Sequence, residues 1–327
     1  MTATSNAQKV QDTTASSGSR SIGGPSWRVF RPGTIGRLVP SVILAILVVV
    51  WFVPTLGVFV SSFRDVDAMS ESGWWTVWRD LDSLTLRNYQ EVIGGATYEY
   101  VTTEGRRIVS RGQDLGQAFL NTLTVTIPSV IIPITMAAFA AYGFSHLKFF
   151  GRKIIFGLIV AMLVVPVQIS LVPILRDYQR IGLTGTYLGV WMFHTGFGIP
   201  LATYLLYNFM VTIPKSIKES AIIDGASNFQ VFHRLVVPLS VPALAAFSIL
   251  QFLWVWNDLL VPMVFLSGVG RDTAVLTQRL MNLVGQYGQD WHLLTAGAFV
   301  SMVLPLVMFF SLQRYFVRGL LAGSVKG

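Results

Sequence analysis

Six long apolar runs, each interrupted by at most one histidine or charged residue, dominate this sequence of 327 residues. A helix needs about 20 apolar residues to cross roughly 30 Å of hydrocarbon, since each residue advances it by about 1.5 Å. A buried helix of a water-soluble protein rarely stays uncharged over that length. We therefore predict an all-α integral membrane protein with six transmembrane helices. The predicted spans cover residues 41–60, 118–144, 154–175, 187–210, 241–266 and 293–313.

The composition agrees with a membrane protein and excludes several other classes. Only 12% of the residues are charged, against about 25% in soluble domains. The absence of cysteine excludes disulfide scaffolds, zinc ribbons, thiol catalysis and iron–sulfur ligation. The four histidines lie in separate segments without metal-site spacing, and no Gly-x-Ser-x-Gly nucleophile motif occurs. A membrane enzyme is therefore the least favoured class.

The Lys and Arg residues are distributed unevenly among the segments that join the spans. If the amino terminus is cytoplasmic, the cytoplasmic segments hold 14 of the 24 basic residues and 3 of the 16 acidic ones. Because basic loops stay inside, this distribution predicts that both termini are cytoplasmic. The net charge of +8 thus reflects membrane topology and does not indicate nucleic-acid binding. Residues 1–37 are predicted to form a flexible tail before a membrane domain of residues 38–327.

Proline residues inside several of the spans predict bent helices. Each proline removes a backbone donor, which is tolerated in a membrane only where a neighbouring group satisfies the freed carbonyl. The prolines in question are Pro128, Pro133, Pro166, Pro173, Pro200, Pro262 and Pro305. The pattern favours a transporter or channel over a passive anchor.

Polar residues inside the spans predict a polar interior of the bundle. Asp258 lies in Trp-Val-Trp-Asn-Asp of the fifth span, and a mid-bilayer carboxylate costs on the order of 3 kcal/mol. It should therefore face inward, with Asn257 or a helix end as its partner. Two interpretations stay open: these residues line a substrate path, or they lock helices together and cap a break in the fifth helix. The substrate-path candidates are Asn257, Asp258, Trp254, Trp256, Gln251 and Asn121.

The segment between the fourth and fifth spans, residues 213–238, has the pattern of two short amphipathic helices. Capping boxes are predicted at Ser216–Glu219 and Ser227–Gln230. Gly225 stands where the first helix should end in a left-handed residue. The apolar faces of the two helices must be buried against the membrane surface or a partner protein.

This segment resembles the EAA loop of ATP-binding-cassette (ABC) importer permeases. Glu219-Ser220-Ala221, Gly225 and the closing Leu-Val-Val-Pro238 follow the spacing Glu-Ala-Ala-x3-Gly-x9-Ile-x-Leu-Pro, with apolar or small replacements. Further stretches resemble the maltose-type (MalG-like) sugar permeases, namely residues 140–152, 223–226, 256–258 and 313–327. The resemblance implies a type I ABC importer permease fold of six transmembrane helices with a cytoplasmic coupling-helix hairpin.

The resemblance also implies a function and its partners. The chain would be a permease subunit of an ATP-driven, binding-protein-dependent sugar importer in the bacterial cytoplasmic (inner) membrane. Its substrates would be oligosaccharides or α-glucosides. Its partners would be a second, MalF-like permease, an ABC ATPase dimer, an extracytoplasmic sugar-binding protein and the lipid bilayer. The chain lacks a Gly-x4-Gly-Lys-Ser/Thr phosphate loop. ATP and Mg²⁺ are therefore expected in the ATPase, and no cofactor is expected in this chain.

In such importers the EAA hairpin fits a cleft in the ATPase. The resemblance implies a polar contact for Glu219, the sharp turn for Gly225, and anchors buried in the ATPase for Ile217, Ile222 and Phe232. The full set of coupling candidates is Glu219, Ser220, Ala221, Asp224, Gly225, Ile217, Ile222, Phe232 and Pro238. The alternative is a secondary carrier or channel that uses Asp258 as a proton or cation site. A carrier would not need this hairpin, and we find no internal repeat of the kind common in that class.

Overall fold

The computed structural model describes residues 34–95, 97–101, 107–266, 270–284 and 290–324. The chain divides into two compact units, residues 1–52 and 53–327. The described part of the first unit is the amino-terminal part of helix α1 (Thr34–Phe63). Most of the predicted tail, residues 1–37, lies outside the described residues.

In the second unit, a segment of short elements follows the end of α1 at Phe63 and precedes the helical bundle. It contains α2 (Val66–Glu71), 3-10 helices Trp74–Arg79 and Leu81–Ser83, α3 (Arg87–Gly94) and an antiparallel hairpin of β1 (Thr97–Val101) and β2 (Arg107–Arg111). The buried guanidinium of Arg64 donates to the carbonyls of Ala68 and Ser72, both at 2.8 Å. Asn88 donates to the carbonyl of Arg64 at 2.7 Å. These bonds hold the start of the segment together.

Helices form the rest of the described chain. They are α4 (Leu115–His146), α5 (Arg152–Ala161) with a 3-10 turn (Met162–Val164), α6 (Val167–Arg180), α7 (Tyr187–Met210), α8 (Lys215–Ile223), α9 (Asn228–Val231), a π-helical turn (Phe232–Val236), α10 (Val237–Leu239), α11 (Val241–Trp256), α12 (Leu260–Phe265), a 3-10 turn (Arg271–Thr273), α13 (Leu276–Val284) and α14 (Trp291–Ser324). The described bundle is helical, as predicted.

By length and composition, three single helices can cross a membrane, and they lie within α1, α4 and α14. The number of spans rises to as many as six if each of three bent pairs of helices counts as one span. The helix α7 has the bounds predicted for the fourth span, residues 187–210. The third and fifth predicted spans, residues 154–175 and 241–266, each consist of more than one helix, and a bend at Pro166 and a break in the fifth helix were among the expectations.

The third span is broken at Pro166, where the axis turns by 103° between Arg152–Val164 and Val167–Arg180. Proline removes a backbone donor and disfavours helical conformation in the preceding residue. Val165 accordingly has extended backbone angles. The first arm of 13 residues covers about 20 Å, which is less than the hydrocarbon thickness. The fifth span is interrupted after Trp256, where α11 ends.

Prolines within α4 leave carbonyls that side chains of neighbouring helices satisfy. Pro128 removes the amide that would bond to the carbonyl of Thr124, and Trp191 Nε1 of α7 donates to that oxygen at 2.9 Å. Pro133 does the same to the carbonyl of Ser129, which accepts from Gln251 Nε2 at 3.1 Å.

The last span repeats this arrangement. Pro305 lies inside α14 and frees the carbonyl of Ser301, which accepts from Trp256 Nε1 of α11 at 2.9 Å. An unsatisfied carbonyl in hydrocarbon costs several kcal/mol, so these three bonds fix how α4, α7, α11 and α14 face each other.

Candidate functional site

The turn between α8 and α9 is a Schellman motif. The amide of Gly225 donates to the carbonyl of Ile222 at 3.0 Å, and the amide of Ala226 donates to the carbonyl of Ala221 at 2.9 Å. Gly225 has φ +84°, in the left-handed region, as the sequence predicted. A Cβ atom at this position would meet nothing within 4 Å. The backbone conformation, and not the available space, therefore requires glycine.

One of the two predicted capping boxes is confirmed. Ser227 Oγ accepts from the amide of Gln230, whose side chain accepts from the amide of Ser227. The box predicted at Ser216–Glu219 is wrong, because α8 starts directly after Pro214. The fixed φ of proline suits a helix start, which leaves Ser216 inside the first turn.

The hairpin (residues 214–238) is bound to the end of α4. Lys218 Nζ donates to the carbonyl of His146 at 2.7 Å, and the Tyr142 hydroxyl donates to the carbonyl of Asn228 at 3.1 Å. The ring of Phe232 packs against Tyr142 and Phe139, with centroid distances of 5.2 and 4.6 Å. A force applied to the hairpin therefore reaches α4 through both of its helical arms.

Phe232 belongs to the core of this chain. Its side chain is 6% exposed and packs in a cluster with residues of α4 and α7. The expectation that it anchors in an ATPase is therefore wrong. Ala221 is half-buried against the same cluster. The amphipathic pattern identified the apolar faces correctly but did not show that this one faces the chain's own bundle.

The outer surface of the hairpin is apolar and exposed. Ile217 and Ile222, both predicted as anchors, are 37% and 48% exposed. Ile223 and Phe229 are more exposed, at 85% and 64%, and neither was predicted as an anchor. The remaining predicted coupling residues, all exposed, are Glu219, Ser220, Asp224 and Pro238. A partner protein can contact this surface without any rearrangement of the bundle.

The break in the fifth span is capped by Asp258. Its Oδ1 accepts from the amides of Leu260 and Val261, at 2.9 and 3.2 Å, at the start of α12. Its Oδ2 lies 3.5 Å from Nε2 of His194 on α7. The partner is thus a helix end, which was one of the two predicted options. Asn257 is exposed and donates to the carbonyl of Leu253 in its own helix, at 2.8 Å.

His194 is the residue in this region that the sequence analysis missed. Its side chain is fully buried and lies between Asp258 and the ring of Trp254, with a ring centroid distance of 5.2 Å. The signal was available, because His194 is the only histidine of its predicted span, Asp258 is the only charged residue of its own, and neither span has both. Gln251 of α11 lies next to them and packs closely against Gly198 of α7. A Cβ atom added to Gly198 would lie 2.9 Å from Nε2 of Gln251.

Three of the six substrate-path candidates bond to backbone carbonyls of other helices or loops. Gln251 and Trp256 are 3% and 2% exposed and satisfy the carbonyls freed by proline. Asn121 Nδ2 donates to the carbonyls of Asp272 and Ala274, at 2.6 and 3.0 Å, and fixes the segment before α13. For these three the contacts support the interpretation that they lock helices together.

The other three candidates lie together at the break. Asn257 is exposed, and Trp254 and Asp258 are half-buried. A solute that reached the break would meet a neutral amide, an aromatic ring and the edge of a carboxylate that is already hydrogen-bonded.

Comparison with known proteins identifies the family. Residues 133–321 match the binding-protein-dependent transport system inner membrane component. The chain belongs to this family. It is therefore a permease subunit of an ABC importer, which is a transport component and not an enzyme. The alternative of a secondary carrier or channel at Asp258 is wrong.

Two relatives show how far the similarity extends. The permease is 50% identical to the osmoprotective compounds uptake permease protein GgtD of Synechocystis sp., over 86% of this chain and 91% of that protein. It is 42% identical to the alpha-glucoside transport system permease protein AglG of Rhizobium meliloti, over 86% of this chain and 95% of that protein. The sequence resemblance to sugar permeases is thus confirmed.

Solved structures support the fold. A bacterial ABC transporter involved in the import of alginate matches the permease with a TM-score of 0.67 at 19% identity, over 88% of this chain and 98% of that one. The structure of a bacterial alginate ABC transporter in complex with an alginate pentasaccharide-bound periplasmic protein matches with a TM-score of 0.58 at 16% identity, over 85% and 94%. The type I importer fold is confirmed, and the permease is a multi-pass membrane protein of a binding-protein-dependent transport system.

Proposed function

We propose that this permease forms half of a translocation pathway for α-glucosides or related oligosaccharides, and that a second permease forms the other half. An ABC ATPase dimer binds ATP and Mg²⁺ and drives the pathway through the hairpin. Both termini and the hairpin face the cytoplasm, in accordance with the distribution of Lys and Arg. The transport of alpha-glucosides by one relative supports the substrate class.

The observation that carries the coupling role is the two-sided construction of the hairpin. One side is bonded to α4 through Lys218 and Tyr142, and the other exposes Ile223 and Phe229. Glu219 is exposed and has no hydrogen-bond or ion-pair partner among the described residues. An apolar surface with a carboxylate at its edge suits a cleft that offers apolar contacts and an arginine.

Replacing Gly225 by Ala should lower ATP-driven sugar uptake several-fold, and Asn should have a smaller effect. A left-handed residue with a Cβ costs roughly 1–2 kcal/mol, and Asn tolerates this conformation better than Ala. The added Cβ atom would have no neighbour within 4 Å, so any loss of uptake comes from the changed shape of the turn. The measurement is uptake by proteoliposomes that contain both permeases and the ATPase, with the binding protein added.

Gly157→Ala is the matched control, since Gly157 lies inside α5 and a Cβ there also meets nothing within 4 Å. It should keep wild-type uptake. If Gly225→Ala keeps wild-type uptake and ATPase coupling as well, the coupling role of the hairpin is refuted.

The break in the fifth span suits a neutral, hydroxylated solute. Asp258 has one oxygen bonded to two backbone amides that cap α12, and the other faces His194 at 3.5 Å, so the carboxylate is directed toward the protein. The exposed Asn257 amide and the Trp254 ring provide a hydrogen bond and an apolar face, which sugars use. We therefore favour a sugar over a cationic osmoprotectant as the solute.

Replacing Asn257 by Ala should raise the KM for the transported sugar about fivefold and leave the maximal rate nearly unchanged, because a neutral hydrogen bond contributes about 1 kcal/mol. Trp254→Ala should act in the same direction. Trp256→Phe serves as control and should leave KM unchanged, since Trp256 is buried. The path assignment fails if Asn257→Ala leaves KM unchanged for every α-glucoside and oligosaccharide that the transporter carries.

A further inference from the structure

A groove with a volume of about 550 Å³ lies at the junction of α4 and α5. It is open to the surface, and none of its lining residues belongs to the break in the fifth span. The residues that line it are Lys148, Phe149, Gly151, Arg152, Lys153 and Ile154. Three of these six residues are basic and none is acidic, so the groove favours a ligand with negative charge.

The three positive charges of the groove are not neutralised by described parts of the chain. Where the structure is described, no carboxylate forms an ion pair with Lys148, Arg152 or Lys153. Arg152 Nη1 donates to the carbonyl of Leu147 at 2.9 Å, which holds the guanidinium at the groove. Both lysines are exposed and can turn toward a ligand. Phosphate oxygens accept hydrogen bonds from such side chains.

The groove also lies beside apolar surface. Phe150 is fully exposed at its edge, and Ile154 and Leu158 of α5 are 69% and 63% exposed. Because α5 belongs to a membrane span, these side chains face the hydrocarbon region of the bilayer. A soluble phosphate would use only the basic residues, whereas a phospholipid would use the basic and the apolar residues together.

We propose that this groove binds the headgroup of an anionic phospholipid. Lys148, Arg152 and Lys153 surround the phosphate, and Phe150 and Ile154 contact the lipid below it. Basic pockets between membrane helices are known to hold anionic headgroups. The groove lies on the same side of the bundle as the hairpin, since Lys218 bonds to the carbonyl of His146 just before it. The proposal does not depend on the transported solute.

The test compares lipid binding by the assembled transporter in detergent, using phosphatidylglycerol and phosphatidylcholine with identical acyl chains. Native mass spectrometry counts the lipids bound. The variant Lys148→Gln/Lys153→Gln keeps Arg152 and its hydrogen bond to the carbonyl of Leu147, so the loop should keep its conformation. We expect the preference for phosphatidylglycerol to fall about tenfold in this variant.

Arg176→Gln/Arg180→Gln is the matched control, because it removes two exposed positive charges from the other end of the third span. It should keep the preference. An equal preference in wild type and Lys148→Gln/Lys153→Gln overturns the site. Displacement of the lipid by millimolar inorganic phosphate also overturns it, since the groove would then be a site for a soluble anion.

Discussion

Replacing Ile223 by Asp should abolish stable association of the permease with its ATPase and leave the permease folded. Ile223 is 85% exposed at the end of α8, so the chain itself loses little when the side chain is changed. In an apolar cleft the new carboxylate would be desolvated without a partner, which costs several kcal/mol. We expect the affinity for the ATPase to fall at least about a hundredfold, measured with both components in detergent.

Two further variants make this result specific. Phe232→Ala should destabilise the permease by roughly 3–5 kcal/mol, because it leaves a cavity in the core. Its thermal transition should therefore fall, whereas that of Ile223→Asp should not. Ile181→Asp adds the same charge at another exposed isoleucine, after α6, and should leave ATPase affinity unchanged. Normal ATPase affinity in Ile223→Asp would show that the apolar outer surface is not the docking surface.

The hairpin shows which parts of a site are encoded locally. The turn at Gly225 and the cap at Ser227 depend on residues within a few positions, and the sequence predicted both correctly. The face on which Phe232 lies depends on α4, far away in the chain, so periodicity alone could not place it. Ile223 was overlooked because its exposure is a property of the assembled bundle.

The spans show the same division. Apolar run length predicted six spans, because the hydrocarbon thickness sets that length. A bend at Pro166 was predicted but its size of 103° was not, since Pro128 and Pro133 have the same local chemistry and lie within one continuous helix. Whether a proline bends or breaks a helix depends on what its neighbours offer the freed carbonyl.

Polarity in a span has the same ambiguity. A buried amide or indole indicates the interior of the bundle, but a solute and a backbone carbonyl both satisfy it. Trp256 and Gln251 were therefore assigned to a substrate path, although proline-freed carbonyls are their partners. The assignment could have been made from the sequence only by pairing each proline with the residue that reaches its carbonyl, which requires the tertiary structure.

Replacing Trp256 by Phe should lower the free energy of unfolding by about 1–3 kcal/mol, because the carbonyl of Ser301 is left without its donor. The phenyl ring keeps the apolar contacts with Phe252 and Phe119. In a Pro305→Ala background the new amide of residue 305 can bond to Ser301 within the helix. The same Trp256→Phe change should then cost about 1 kcal/mol less, measured by unfolding in denaturing detergent.

Gln251→Leu, in the presence and absence of Pro133→Ala, provides an independent cycle for the carbonyl of Ser129. Both cycles should give a coupling energy of about 1 kcal/mol or more, as expected for groups that share one hydrogen bond. Additive effects would mean that the side chains stabilise the permease in another way. Because a substrate contact would depend on the sugar and not on the proline, rescue by Pro305→Ala or Pro133→Ala assigns Trp256 and Gln251 to the framework that holds α11 against α4 and α14.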